Sequence, residues 1–159
     1  MARRVVTGNN AAGRSYVVSD EIVDEMTLWE TTDKNPLGGG PSRLLPSGAP
    51  DIDPPAGGSR CLRVTLQPWK MMKPLLERGD IPGVDANGFH RTNTVDYILM
   101  IDGEVTLLLD EGQVTLRAGD LVVQRNTNHA WQVHNDAPAN FWGIMVSAEP
   151  KVSSPGRLS

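Results

Sequence analysis

From residue 94 onward the chain is cut into short apolar runs by turn residues at nearly even intervals, and antiparallel β-structure is the fold class that satisfies such a rhythm. TVDYILMI, EVTLLL, QVTLR, LVVQR, HAWQVH and NFWGIMV follow one another. Between them lie Asp102-Gly103, Asp110-Glu111-Gly112, Ala118-Gly119-Asp120, the stretch from Asn126 to Asn128 and that from Asp136 to Ala139. Runs this short, rich in β-branched residues and bounded by Asp, Asn and Gly, read as strands joined by tight turns. The series predicts an all-β fold, an antiparallel meander or a jelly-roll barrel.

Upstream of this series the pattern is looser. Residues 3–7 and 14–19 are β-branched runs separated by GNNAAG and predict a hairpin. Between Glu21 and Trp29 the reading is divided, and a strand is expected in the second half only. Residues 36–58 are so dense in Gly and Pro that no regular element can persist, which predicts a long loop, a cover over a site or an arm between subunits. A strand follows over residues 60–67. Trp69 to Gly79 then suits one or two helical turns, with Pro74 in the first turn and Gly79 at the end. Trp69, Met71 and Leu75 form either a lid or, more simply, a plug of the barrel. The chain therefore divides into N-terminal strands (1–35), a Pro/Gly-rich loop or arm (36–58), a barrel (59–150) and a frayed tail (151–159).

Charge and cysteine usage narrow the functional classes. A net charge of −4 and a pI near 5.3 do not suit a surface built to neutralise phosphates, so nucleic acid is not an expected partner. The single cysteine, Cys61, allows no internal disulfide and reads as a small buried hydrophobe. No window reaches the roughly 20 apolar residues of a membrane span, and the N-terminus lacks the apolar stretch of a signal peptide. A cytoplasmic protein is the default expectation.

Candidate chemistry comes from side-chain parity. If GFHRTNTVDYILMIDG is one extended strand, His90, Thr92, Asp96, Ile98 and Met100 share a face, while Val95, Tyr97, Leu99 and Ile101 share the other. Both faces look buried. In HAWQVH, His129, Trp131 and Val133 share a face and His134 points the opposite way, to the surface or an interface. Two imidazoles and a carboxylate meeting on one inner wall have the composition of a facial triad, with coordination positions left for water, substrate or dioxygen. Each histidine taken alone is equally well explained as a partly buried ring bonded to backbone.

The segment from Gly88 to Val146 resembles the cupin superfamily. His90, Thr92, Asp96 and Gly103 fall at the spacing of its first motif, and Gly119, Asp120 and His129 at that of its second. HRTNTVDY, DGEVTLLLDEG and AGDLVVQRNTNHAW are similar, more narrowly, to a subgroup of small bacterial cupins of mostly unassigned activity. The resemblance implies a cupin-type jelly roll with a divalent metal, Fe, Mn, Ni or Zn, held by His90, Asp96 and His129. Thr92 stands where that pattern has a second histidine, Asp96 is one methylene shorter than the usual glutamate, Arg125 stands where proline is common, and Val133 stands near the usual asparagine. With one histidine lost, the metal may be absent from purified protein.

These residues suggest an enzyme acting on a small organic molecule, of oxygenase or of decarboxylase, isomerase or lyase type. Asp96, His90 and Thr92 are the catalytic candidates, and Trp131, Ile98 and Met100 the substrate-binding ones. Two further readings stay open: a metal-free acid/base enzyme using Asp96 and a histidine, and a non-catalytic module that binds a small ligand. A homodimer is expected in each case, because the early strands and the Pro-rich arm offer edges that a second copy could cover.

Overall fold

The computed structural model describes residues 1–38 and 52–148. Most of the Pro/Gly-rich loop and the expected frayed tail therefore lie outside the described residues. The elements are β1 (Ala2–Asn9), β2 (Ser15–Val23), β3 (Thr27–Thr31), β4 (Ser59–Leu66), α1 (Trp69–Glu77), β5 (Thr94–Asp102), β6 (Glu104–Leu109), β7 (Gln113–Arg117), β8 (Leu121–Arg125), β9 (His129–Gln132) and β10 (Ala139–Ser147).

Every strand pairing is antiparallel. One sheet has the order β3-β4-β10-β5-β8, and a second has the order β7-β6-β9. The chain crosses from one layer to the other between β5 and β6 and again at every step from β7 to β10, which is jelly-roll connectivity and not a simple meander. The turns fall where the sequence places them, with Gly103, Gly112 and Gly119 all at positive φ. At Gly103 the requirement is twofold. Its φ is +75°, and a Cβ there would lie 2.7 Å from the Ala139 backbone, so the turn from β5 to β6 closes only around a residue without a side chain.

The core lies between the layers. Ile98 and Met100 of β5 and Phe141 of β10 pack against Val105 and Leu107 of β6, Leu116 of β7 and Val133. Strands β5 and β10 alternate strictly, with Thr94, Asp96, Ile98 and Met100 turned inward. The expectation that the other face is also buried is not met. Tyr97, Leu99 and Ile101 are 42–45% exposed, and Trp142, Ile144 and Val146 on β10 are similarly open. Register aligns them in rows, Val123–Tyr97–Ile144 and Leu121–Leu99–Trp142, across three adjacent strands. Nothing within the described residues covers this apolar face.

The N-terminal hairpin forms as expected, but β2 runs on through Glu21 to Val23, so the first half of the divided segment is strand as well. It is a separate two-stranded sheet, tied to the barrel by Arg4, which donates to the Leu28 carbonyl at 3.1 Å and pairs with Glu21. Between it and the barrel opens a cleft of about 500 Å³, whose lining includes Arg4, Val6, Trp29, Cys61 and Trp142. Cys61 is only partly buried, with its thiol pushed up by that burial. Beneath β3 the Arg60 guanidinium is fully buried and paired with Glu30, Nε to Oε2 2.9 Å.

Helix α1 corrects two expectations. It begins directly after Pro68, so Pro74 falls in its interior and not in its first turn. The ring removes the bond that would reach the Lys70 carbonyl, and the helix tolerates this because Lys70 and Pro74 both face solvent. The buried residue of the helix is Leu76, while Met71 is 56% exposed and plugs nothing. Trp69 and Leu75 are half-buried. No helix of the described residues is long and apolar enough to cross a membrane.

Candidate functional site

Three strands and the segment entering β5 bring the candidate residues together at one end of the barrel interior. Strand β5 begins at Thr94, so His90 and Thr92 precede it and are not part of one continuous strand. Parity nevertheless carries through, because His90 is held in an isolated bridge with His129, its N–H donating to the His129 carbonyl at 2.9 Å and its carbonyl accepting from the His129 N–H at 3.0 Å. The two imidazoles consequently lie against each other, with ring centroids 4.2 Å apart and planes tilted by 53°. The turn between β8 and β9 is fastened to the same end, since the Asn126 N–H donates to the Thr94 carbonyl at 3.0 Å.

The hydrogen bonds fix the tautomers. His129 Nδ1 lies 2.9 Å from the Thr127 carbonyl and His90 Nδ1 lies 3.1 Å from the Gly88 carbonyl. A carbonyl can only accept, so in each neutral ring the proton sits on Nδ1 and the Nε2 lone pair is left for another partner. Burial lowers the pKa of His129 to about 4, with the Thr127 bond opposing and His90 reinforcing the shift. Asp96 is 4% exposed, and burial pushes its carboxyl up, against hydrogen bonds from Thr94 and Gln124.

Gln124 is the residue that sequence reasoning missed. It faces Asp96 across the β5–β8 ladder and is 3% exposed. Its amide nitrogen lies 2.9 Å from His129 Nε2 and donates to Asp96 Oδ2 at 3.3 Å. One NH₂ group therefore links the imidazole and the carboxylate. The signal was available in LVVQR, where Val122 and Gln124 share the inward parity and the lone polar residue on an inward face calls for a polar partner. Thr94, at the same parity as Asp96, was also overlooked, and its hydroxyl is 2.7 Å from that of Thr92.

The substrate-binding candidates separate. Trp131 presents its edge to His129 at 5.7 Å and leans on Phe141 at 5.6 Å, whereas Ile98 and Met100 are packed into the core. His134 is exposed, as parity requires. A neighbouring cavity of about 260 Å³ has Asp53, Asn93, Thr94 and Ser147 in its walls, so it shares Thr94 with the site.

Among the described residues, no group of three His, Cys, Asp or Glu side chains is clustered as metal ligands, and the amide of Gln124 stands between two of the candidates. The donor set is nonetheless suited to a cation. Asp96 Oδ1 and Gln124 Oε1 are buried acceptors without a hydrogen-bond partner, and each imidazole is locked by a backbone carbonyl in the manner of a metal-ligating histidine.

No family model matches the chain. In sequence it is similar to phomopsin biosynthesis cluster protein C' of Diaporthe leptostromiformis, 45% identical over 58 residues, which are 36% of this chain and 29% of that protein. It is also similar to the cupin-domain-containing oxidoreductase srdD of Neurospora crassa, 43% identical over 51 residues, 31% of this chain and 26% of that one. The matches thus span less than a third of these curated relatives. They are fungal, beside the bacterial subgroup that the motifs resemble. Among solved structures, an RmlC-like cupin with a double-stranded β-helix fold from Methanocaldococcus jannaschii aligns with 56% of this chain and 70% of its own at 20% identity and a TM-score of 0.41. The strand order is that of a jelly-roll barrel, and over its matched segment the chain is similar to cupin-domain proteins.

Proposed function

We propose that the chain is a metal-dependent enzyme acting on a small organic molecule, with His90, Asp96 and His129 holding a divalent ion at the mouth of the barrel. The observation that carries this reading is the pair of Nδ1–H bonds to the Gly88 and Thr127 carbonyls. They leave both Nε2 lone pairs available, and that of His129 faces the Gln124 amide that also reaches the buried Asp96 carboxylate. The low pKa of His129 keeps that ring free of a competing proton at neutral pH. The oxidoreductase label of cupin-domain relatives favours an oxidative reaction over a hydrolytic one.

Bound Fe, Mn, Ni or Zn would supply a Lewis acid, and the first two also a redox centre. The protein's own groups supply the rest. Trp131, half-buried and edge-on to His129, is the aromatic side chain nearest the site that a planar substrate can meet. Asp96 Oδ1, the oxygen that Gln124 leaves without a partner, is the carboxylate atom placed to face the ion. Thr92 and Thr94 form a hydroxyl pair that can pass a hydrogen bond between the site and the neighbouring cavity.

Metal analysis of protein purified without chelator tests this reading. An ion present near one per chain, and lost in His90→Ala and His129→Ala while the fold persists, is the expected result. A second reading is favoured by one observation, the Gln124 amide that already joins Asp96 and His129. In that case the pair works as a metal-free acid and base, and turnover survives a strong chelator.

The apolar outer face of β5, β8 and β10 further supports a homodimer as the working state. Rows of side chains 39–61% exposed are unusual on an isolated monomer of this size, and a two-fold axis through the face would cover them with their own copies.

A further inference from the structure

We propose that Gln124 is a fourth protein ligand, whose amide turns its nitrogen to Asp96 and His129 when the site is empty and its oxygen to the ion when the site is filled. This rests on the divalent-ion reading above and goes beyond it by assigning a ligand from β8 and a two-position side chain.

Gln124 is 3% exposed, so both ends of its amide are removed from solvent. The nitrogen end is fully used, with one proton directed to His129 Nε2 at 2.9 Å and the other to Asp96 Oδ2 at 3.3 Å. The oxygen end has no partner, and neither does Asp96 Oδ1. Two buried acceptors are thus left unsatisfied on either side of a single amide, a local shortage of positive charge. The nearby Thr92 and Thr94 hydroxyls lie 2.7 Å from each other, and neither reaches the Gln124 oxygen.

The orientation seen is the one the empty site demands. Reversing the amide there would set its oxygen against a carboxylate oxygen and an imidazole lone pair, three acceptors with nothing to share. A cation among them inverts that preference, since it takes the lone pairs of Asp96 and His129 and repels the NH₂ group. The terminal torsion of glutamine is broad and two-fold, so the exchange needs only a half-turn of the amide and no backbone movement. Gln124 then serves both states. Empty, it holds Asp96 and His129 at hydrogen-bond distance from one point; filled, it adds a neutral oxygen donor beside the carboxylate, a combination suited to Mn(II), Fe(II) or Co(II).

Cobalt(II) titration of the chelator-stripped protein, read by the visible d–d absorption, tests this. Native protein should give a saturable spectrum. Gln124→Leu should bind at least tenfold more weakly with a changed band shape, and Gln124→Glu, which keeps the oxygen and adds charge, should bind more tightly than native. In native protein enriched with ¹⁵N-glutamine, zinc(II) should shift the one side-chain amide signal that disappears in Gln124→Glu, which keeps the test independent of how well the leucine variant folds. Equal affinity and identical bands for native and both variants, or an unmoved amide signal in zinc-loaded protein, overturn the assignment of Gln124 while leaving the ion site standing. Native protein that gives no cobalt spectrum removes the ion reading itself, and this inference with it.

Discussion

His129 links stability to pH. Its pKa is lowered from 6.5 to about 4 by burial, so between those values the unfolded chain binds a proton that the native ring refuses. In metal-free protein this contribution is fully present above pH 6.5 and is lost as pH falls towards 4, by roughly 3 kcal/mol in all. Asp96 acts in the opposite sense, because its raised carboxyl pKa adds stability at low pH that is lost as pH rises through it. Urea unfolding of chelator-treated protein from pH 7 to 4 should show the decline, and His129→Gln should flatten it. Parallel profiles for the two proteins would contradict the assignment. At this scale parity made His90, Asp96, His129 and the outward His134 legible in the sequence. Gln124 is marked by the parity of LVVQR as inward and polar, but its partners are not legible, because they depend on which strand lies beside β5, and that neighbour is 28 residues away in sequence. Pairing between distant strands leaves no local pattern to read.

At the scale of elements, turns are the sharpest test of why the strands close where they do. Gly112 and Gly103 both have positive φ, but a Cβ at Gly112 meets nothing within 4 Å, whereas at Gly103 it meets the Ala139 backbone. Gly112→Ala should therefore cost only the backbone strain, about 1 kcal/mol, and Gly103→Ala about 2–3 kcal/mol, in chemical unfolding at neutral pH. Equal costs would show that the approach of β10 to this turn does not matter. Arg60 and Glu30 make a second test. Glu30→Ala removes the carboxylate paired with a fully buried guanidinium and should cost about 3 kcal/mol. The strands after residue 94 were legible because their period and turn residues agree. The α1 boundary was not, since Pro74 carries a first-turn signal that packing of Leu76 overrides.

The molecule as a whole presents an unpaired surface. Leu121, Val123, Tyr97, Leu99, Trp142 and Ile144 form a continuous outer face, of which Tyr97 and Leu99 on β5 read from the sequence as buried. Apolar residues on both faces of β5 signal cover on both sides, and within the described residues only the inner side is covered. If a second copy provides the cover, Ile144→Glu should halve the mass measured by sedimentation equilibrium while leaving the metal content unchanged. A monomeric native protein would contradict it. The central claim concerns the interior, where two imidazoles and a carboxylate hold an ion. A crystal grown with manganese(II) and measured for anomalous scattering tests it most directly. One strong peak bounded by His90 Nε2, His129 Nε2 and Asp96 is the result this account predicts; a map without a peak there, at saturating manganese, is the result that would contradict it.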